Sequence, residues 1–335
     1  MSLTDLMSPQ VEHFLRKIYW LLIHPVITQP TLKWMFILST LVIAYAFFLT
    51  TRPQSRGLRA FARFAFPREV YAHPSAMVDY KFYVANQFVL TYLRLGQWVV
   101  GLVAILKVAD GVRWLLDAAF GAAPADSTPN PAVVAAFTLI TALAYDYGRF
   151  LSHYVQHRVP VLWEFHKVHH SAEVLTPISS FRAHPIDQMI EFLFRLIATS
   201  VVSGIFAHFY PSGIEELTIL NYSALTFLFY LAAHLRHSHI PVGYGRLSHL
   251  FVSPVMHQLH HSAAREHFDK NFGFIFSLWD KMAGTLLIPE RHARFDLGLP
   301  PEAGRYDTAT RLFLYPFVGA ARLLFRPKAV PRPEG

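Results

Sequence analysis

The most constraining feature of this sequence is a long apolar run from Trp34 to Thr51, which contains no charged side chain. As a helix, such a run is about long enough to cross a hydrocarbon layer about 30 Å thick. The composition agrees, because only 16% of the residues are charged and 53% are hydrophobic, whereas an ordinary soluble domain carries about 25% charged residues. The sequence therefore predicts a membrane protein.

Four further apolar runs follow, which predicts an all-α, polytopic helical membrane protein with four or five spans. The third run overall is short and leads directly into Asp146, so it is either a crossing or a re-entrant segment. The four runs are Phe82–Leu106, Pro131–Tyr145, Met189–Ala207 and Leu217–Ala233.

Basic residues predict which side of the membrane the loops face. Five arginines lie within residues 52–68, directly after the first run, and loops rich in Lys and Arg are normally cytoplasmic. Residues 208–216 contain neither Lys nor Arg, as expected on the opposite side. With five crossings, residues 146–187 and those after His234 face the cytoplasm together. The net charge of +8 fits contact with anionic lipid, and nothing in the sequence indicates nucleic-acid binding.

Histidines are concentrated in one part of the chain, where 15 of the 19 lie between His153 and His267. Three blocks stand out: HYVQH at 153–157, HKVHH at 166–170 and HQLHH at 257–261. On a helix, histidines at i and i+4 lie on one face, one turn apart. The additional i+3 histidine of the second and third blocks completes a triangle that suits one metal or a bridge between two. Neutral imidazole binds iron, zinc or copper well.

Other residue types define the kind of metal site. Soluble di-iron bundles use Glu-x-x-His, but no glutamate here is followed by histidine three residues later, and the zinc-protease motif HExxH is missing. The chain has no cysteine, which excludes disulfides, thiolate-bound zinc and iron–sulfur clusters. Eight histidines in three blocks exceed what one tetrahedral zinc binds. The sequence therefore predicts two metals held mainly by imidazole in a cytosolic, histidine-rich helical cap.

Four segments resemble the fatty acid hydroxylase and sterol desaturase superfamily of membrane-bound oxygenases. They are LWEFHKVHHS at 162–171, SPVMHQLHHS at 253–262, DKNFG at 269–273 and WDKMAGT at 279–285. Together they cover about residues 146–289 in the family order. The resemblance implies a helical membrane domain with a non-haem di-iron centre, in which zinc can replace iron.

The resemblance also implies which residues bind metal. A further histidine precedes the third block in the family, and His237 matches that position best, followed by His234 and then His239. The implied metal ligands are His153, His157, His166, His169, His170, His234, His237, His257, His260 and His261.

Five other residues are expected to support the ligands rather than to bind metal: Asp146, His184, His239, Asn271 and Asp280. Asp146 could orient an imidazole through its second ring nitrogen, or it could be a charge at a helix end. His184, in the segment Arg182–Pro185, is expected to support a ligand, with direct metal binding as the alternative. Asn271 and Asp280 either fix a loop that closes the site or are ordinary turn residues. The remaining histidines are predicted not to bind metal: His13, His24, His73, His208, His249, His267 and His292.

The activity that the resemblance implies is hydroxylation or desaturation of a lipid C–H bond with O2. Electrons would come from a ferredoxin or small cytochrome with an NAD(P)H reductase, because the sequence has no Gly-rich dinucleotide motif. A metal-dependent membrane hydrolase and a metal-binding or metal-transport protein are the alternatives. The hydrolase would need a carboxylate base within a ligand motif, and the transporter would need ionisable residues deep in its spans.

The expected organisation has three parts. Residues 1–130 form an N-terminal amphipathic and membrane-spanning region, 131–290 the hydroxylase-like catalytic domain, and 291–335 a C-terminal amphipathic tail. Within the tail, Thr310–Phe325 either lies on the membrane surface or forms an ordinary packed helix.

Overall fold

The computed structural model describes residues 33–52, 54, 57–220, 222–290, 293–300 and 306–325, except for the side chains of 92–102 and 104–106. The predicted amphipathic segment before residue 33 and the predicted non-ligands His13, His24 and His292 lie outside the described residues.

The described part of the chain is mostly helical, with one two-stranded antiparallel hairpin. The helices and strands are α1 Trp34–Thr51, α2 Leu58–Ala65, α3 Arg68–Tyr71, α4 Pro74–Phe120, α5 Pro131–Arg158, α6 Pro160–His170, α7 Pro185–Phe209, β1 Thr218–Ile219, β2 Tyr222–Ser223, α8 Ala224–Tyr230, α9 Ala233–Arg236, α10 Pro254–His260, α11 Leu278–Ala283 and α12 Ala309–Phe325. Short 3-10 helices cover Pro177–Phe181, Gly245–His249 and Arg265–His267.

Among the described residues, three helices are long and apolar enough to cross a membrane: α1, α5 and α7. The first predicted run coincides with α1, and the fourth lies within α7. The third is not short, because α5 continues for 28 residues to Arg158, about 42 Å at 1.5 Å per residue. The run is therefore part of a helix that is long enough to cross a membrane, and the crossing itself stays a prediction.

The second and fifth predicted spans have different outcomes. Helix α4, with 47 residues, includes the second run, but many side chains of that run lie outside the described residues, so this crossing stays a prediction. The fifth run is not one spanning helix. It forms the hairpin β1–β2 followed by α8, which has only seven residues and is far too short to cross. Leu220, at the hairpin turn, has a positive φ of 50°, a conformation that no α-helix contains.

Helices α4 and α5 both pack on α7, and glycines permit the close approach. A Cβ on Gly148 would lie 2.8 Å from the carbonyl oxygen of Phe194, and one on Gly204 would lie 2.5 Å from that of Ala109. Both distances are too short for real contacts, so these helices touch through backbone. This packing fixes α5 relative to α7, and the ends of both helices carry site residues.

The remaining elements cover one end of these helices. Helix α12 packs on α6 and α4, with Leu312 buried and Gly319 next to the Glu164 carboxylate. Its other side exposes Leu314, Phe317 and Val318. The segment therefore forms a helix that packs on α6 and α4, and its position on the membrane surface stays a prediction. The predicted boundaries at residues 130 and 290 stay a prediction.

Candidate metal centre

Nine histidine side chains converge in two neighbouring groups. In each group, ring nitrogens from every member lie within 4.8 Å of one another. We name them group 1 and group 2. Group 1 consists of His153, His157, His166, His170 and His260, and group 2 consists of His169, His237, His257 and His261.

The second and third histidine blocks are shared between the groups in opposite ways. In the second block, the i and i+4 histidines belong to group 1 and His169, at i+3, belongs to group 2. In the third block, the i and i+4 histidines belong to group 2 and His260 belongs to group 1. On a helix, i+4 lies about 40° from i, whereas i+3 lies about 60° to the other side. Each block therefore contributes to both groups, which is the arrangement expected if the block bridges two metals.

Distances between the facing nitrogens fit a bound metal. The Nε2 atom of His170 lies 3.1 Å from that of His157 and 3.3 Å from that of His166. In group 2, the His257 Nε2 atom lies 2.8 Å from His237 Nε2 and 3.2 Å from His261 Nε2. Nitrogens about 2.1 Å from one metal lie about 3.0 Å apart at adjacent octahedral positions and about 3.4 Å apart in a tetrahedron.

Hydrogen bonds on the outer side of the rings determine which nitrogen faces inward. The Nδ1 atoms of His153, His169 and His260 lie 2.9, 3.3 and 2.6 Å from the carbonyl oxygens of Phe272, Arg182 and Lys270. A carbonyl only accepts, so each Nδ1 carries the proton and each Nε2 keeps its lone pair. The Nε2 atoms of His153 and His260 are buried without a partner. Such donors fit a metal cation, and metal-binding histidines are commonly held in this way.

Asp187 is a supporting residue that the sequence reasoning missed. Its Oδ1 atom accepts from Nδ1 of His166 at 2.9 Å and from Nε2 of Gln156 at 2.6 Å. A carboxylate on the outer nitrogen fixes the ring and increases its basicity as a ligand. Asp187 lies in the first turn of α7, and a carboxylate two residues after the His184-Pro185 pair was the available signal.

Arg236 is a second missed residue. Its Nη2 atom lies 3.0 Å from Nδ1 of His257, and its guanidinium also donates to the carbonyl oxygens of Gly273 and Phe274. Because arginine only donates, Nδ1 of His257 accepts, and the proton of the neutral ring is on Nε2, unlike in His153 or His169. His257 would have to lose this proton before Nε2 could bind a metal. Burial lowers the pKa of Arg236 to about 9, which still leaves it protonated at neutral pH.

Asn271 and Asp280 hold the loop that passes over group 1. Asp280 accepts from the backbone N–H groups of Phe272 and Gly273 at 2.8 and 2.7 Å. Asn271 has a φ of 58° and its side chain bonds the backbone of Met256 and Leu287. Both residues act on the loop rather than directly on a histidine.

The prediction that Asp146 contacts an imidazole is wrong. Its carboxylate accepts from the backbone N–H groups of Ile275 and Phe276 at 2.7 and 2.9 Å, and from Trp279 Nε1 at 2.9 Å. The prediction fails because the spacing of seven residues places Asp146 two turns from His153, outside hydrogen-bonding reach. It fixes the same loop as Asp280.

His184 neither lies in a histidine group nor bonds to one. Its Nδ1 atom accepts from the Ile186 N–H at 3.1 Å, which caps α7, and its Nε2 atom donates to the Phe313 carbonyl oxygen at 3.1 Å. The neighbouring Arg182 supplies the contact instead, through the carbonyl oxygen that holds His169. The side chain of Arg182 is itself held by Asp79 at 3.0 Å.

The three histidines before the third block have different positions. His237 is in group 2, but His234 is in neither group, which corrects its predicted role as a ligand. His239 donates from Nε2 to the Phe64 carbonyl oxygen at 2.7 Å and lines a separate cavity with Arg63. It does not support a ligand. The differences arise because α9 ends at Arg236, so helical spacing no longer applies beyond it.

The surroundings keep these histidines neutral. Burial, with smaller contributions from neighbouring imidazoles, lowers the pKa of His169 and His260 to about 3. The pKa values of His170, His257 and His261 are also lowered well below the usual range by burial and then by neighbouring charges. Neutral imidazole is the form that binds metal.

A cavity of about 230 Å³ touches both groups, and we call it the histidine cavity. It is lined by histidines of both groups, by aromatic rings and by the Arg149–Glu191 ion pair. The lining includes His153, His166, His169, His237, His257, Phe181, Phe229, Phe274, Arg149 and Glu191. The site therefore combines two metal-binding groups with a small space beside them.

Comparison with known proteins agrees with this site. Residues 138–285 match the family model described as fatty acid hydroxylase. This range includes all nine grouped histidines, namely the eight on the three blocks and His237. No solved structure matches this chain.

Among curated proteins, ornithine lipid hydroxylase OlsE of Rhizobium tropici is 28% identical over 49% of this chain and 46% of its own length. Alkylglycerol monooxygenase of Caenorhabditis elegans is 28% identical over 44% of this chain and 26% of its own. Cholesterol 25-hydroxylase of Homo sapiens is 31% identical over 44% and 50%. The chain thus spans half or less of the length of these relatives.

Proposed function

Because residues 138–285 belong to the fatty acid hydroxylase family, we propose that this protein is a membrane-bound, two-iron oxygenase that hydroxylates a C–H bond of a lipid with O2. The relatives named above are hydroxylases and monooxygenases whose names specify lipid substrates. Hydroxylation is accordingly favoured over desaturation.

The observation that carries the proposal is the pair of adjacent histidine groups beside one cavity. Group 1 would hold one iron and group 2 the other. The blocks that contribute to both groups would keep the metals at a fixed separation. Imidazole is a ligand that suits iron. Metal ligation is supported by the convergence of ring nitrogens in each group and by the buried Nε2 atoms of His153 and His260, which have no hydrogen-bond partner.

The reaction inserts one oxygen atom of O2 into a C–H bond and reduces the other to water, which consumes two electrons and two protons. When bound, the iron pair supplies the activation of O2, for which no amino-acid side chain is suited. The protein's residues hold the ligands neutral, fix their orientation through outer carbonyl and carboxylate partners, and confine the substrate carbon to the histidine cavity.

The two electrons would come from a separate carrier, a ferredoxin or small cytochrome with its NAD(P)H reductase. The sequence contains no nucleotide-binding motif or cysteine that would support an internal source. We further propose that the histidine groups face the cytoplasm, because the arginines after α1 favour that side. A lipid chain would then reach the cavity from the bilayer.

The proposal is tested by comparing lipid extracts of cells that lack the gene with those of cells complemented by it, grown under ¹⁸O2. The expected result is a lipid in the complemented cells that is heavier by one ¹⁸O atom. Complementation with His169→Ala or His260→Ala should give no such product while the protein still inserts into the membrane. Full product formation by either variant, or oxygen derived from water, would contradict the proposal.

A further inference from the structure

A ladder of polar side chains joins α5 to α7 below the histidines. On α5, Tyr145, Arg149 and His153 follow one another at intervals of four residues, and on α7 the partners Glu191 and Arg195 do the same. Arg149 pairs with Glu191 at 3.1 Å, and Arg195 donates to the Tyr145 hydroxyl at 2.8 Å. Each rung lies four residues, about 6 Å of helical rise, below the previous one.

The upper rung of this ladder is part of the histidine cavity. Arg149 and Glu191 line the cavity together with His153 and His166 of group 1. The ring of Phe274 faces the Arg149 guanidinium, and the ring centroid lies 3.2 Å from the guanidinium carbon Cζ. The ion pair therefore lines the same small space as the histidines, and Arg149 precedes His153 by four residues on α5.

Charge at this position is costly in a spanning helix, because ionisable residues inside membrane segments are rare and usually functional. Both α5 and α7 are long and apolar enough to cross a membrane. Glu191 is approached by two guanidinium groups, those of Arg149 and Arg195 at 3.1 and 3.3 Å. One carboxylate thus faces two arginines, and the rung has an excess of hydrogen-bond donors.

We propose that Arg149 and Glu191 bind the polar end of the lipid, and that the carbon to be hydroxylated lies only a few bonds from that end. The inference rests on the proposed function. The excess of donors selects a head that carries acceptor oxygens, such as an ester, ether, amide, hydroxyl or carboxylate. Since Arg149 lies about 6 Å of helical rise below His153 on α5, about four or five bonds separate a head oxygen from the reacting carbon.

Binding to the metal-free protein tests the anchor without any turnover. Radiolabelled 1-palmitoylglycerol and radiolabelled hexadecane are bound to the full chain in nanodiscs. The Arg149→Met variant should lose about tenfold or more of its affinity for 1-palmitoylglycerol, as expected for a lost charged hydrogen bond, while hexadecane binding changes less than about twofold. Glu191→Gln, which is almost isosteric, serves as a second variant should Arg149→Met fail to fold.

The matched control is Arg113→Met, which removes an arginine of the ion pair with Asp117 on α4, away from the cavity. It should bind both probes as the wild type does. Equal losses for both probes in Arg149→Met, or no preference of the wild type for the probe with a head, would overturn the proposal.

The position of the new oxygen tests the second part of the proposal, that the hydroxylated carbon lies only a few bonds from the polar end of the lipid. Tandem mass spectrometry of the product from complemented cells should locate it within about five bonds of a head oxygen. An oxygen near the methyl end would overturn the anchor proposal while leaving the oxygenase function intact. If no oxygenated lipid forms at all, the proposed function fails, and the binding measurement still decides whether Arg149 and Glu191 hold a polar head.

Discussion

The two nitrogens of each imidazole in this site have different neighbours. For His153, His169 and His260 the outer nitrogen donates to a backbone carbonyl, so the inner nitrogen is left as a ligand. His166 is different, because its outer partner is the Asp187 carboxylate. A charged acceptor on the outer nitrogen strengthens His166 as a ligand of group 1, whereas in group 2 a cationic donor, Arg236, faces Nδ1 of His257. The two metal positions are therefore not equivalent.

Removal of a single histidine ligand should empty the group to which that ligand belongs, while the other group keeps its metal. His170→Ala affects group 1 and His261→Ala affects group 2, so each variant should lower the metal content from about two to about one ion per chain. Metal analysis by mass spectrometry measures this. His234→Ala, outside both groups, and the exposed His249→Ala should keep the wild-type content; a loss of metal in His234→Ala would return that residue to the ligand set.

Asp187→Asn should weaken metal binding without removing a ligand. The amide can no longer stabilise the proton on His166 Nδ1 as the carboxylate does, and loss of such a partner typically costs about 10–100-fold in metal affinity. Competition with a chelator of known affinity gives the measurement, and Asp110→Asn on the exposed side of α4 is the control. Equal affinities for Asp187→Asn and the control would rule out this role.

At the level of helices and loops, spacing within a block could be predicted from the sequence, but contacts between blocks could not. The i, i+3, i+4 pattern is local, so it identifies eight of the nine grouped histidines. Asp187 and Arg236 act on rings 21 residues away in sequence, and only the approach of α7 and α9 brings them there. The fifth span fails for a related reason: its apolar composition resembles a span, while Thr218–Ser223 forms a hairpin.

The backbone contact between α5 and α7 should tolerate no side chain at Gly148. A Cβ there would lie 2.8 Å from the Arg195 Cα atom, so Gly148→Ala must push the helices apart, and overpacking typically costs about 1–3 kcal/mol. The thermal midpoint in detergent micelles should fall. Gly111→Ala on α4, which meets open space, should instead raise it slightly, since alanine favours a helix by up to about 1 kcal/mol. Equal shifts for the two variants would refute the close contact.

For the whole molecule, the buried histidines connect metal binding to stability. Burial lowers the pKa values of the grouped histidines other than His166, and repulsion between neighbouring rings on protonation lowers them further. A metal that binds the folded chain more tightly than the unfolded chain stabilises the fold. The metal-free protein is therefore expected to have a lower free energy of unfolding than the metal-loaded protein.

The metal-free protein should be acid-labile over a defined range. The pKa values of His169 and His260 are about 3 in the folded chain and about 6.5 in an unfolded one. Between these values the unfolded chain binds protons that the folded chain does not, so stability falls as the pH decreases from about 6.5 toward about 3. Thermal midpoints at pH 7.5, 6.5 and 5.5 measure the slope.

The double variant His169→Gln/His260→Gln provides the comparison for this slope. It lacks two of the groups whose pKa is lowered, so its midpoint should depend less on pH below 6.5 than that of the wild type. Identical slopes would show that these two rings do not carry the effect.

The most direct test of the two-metal account is the metal content of the active protein. Protein purified from cells supplied with iron, and shown to hydroxylate its lipid, should contain two irons per chain, with activity proportional to the filled pairs. A fully active preparation with one metal per chain, or with none, would contradict the account.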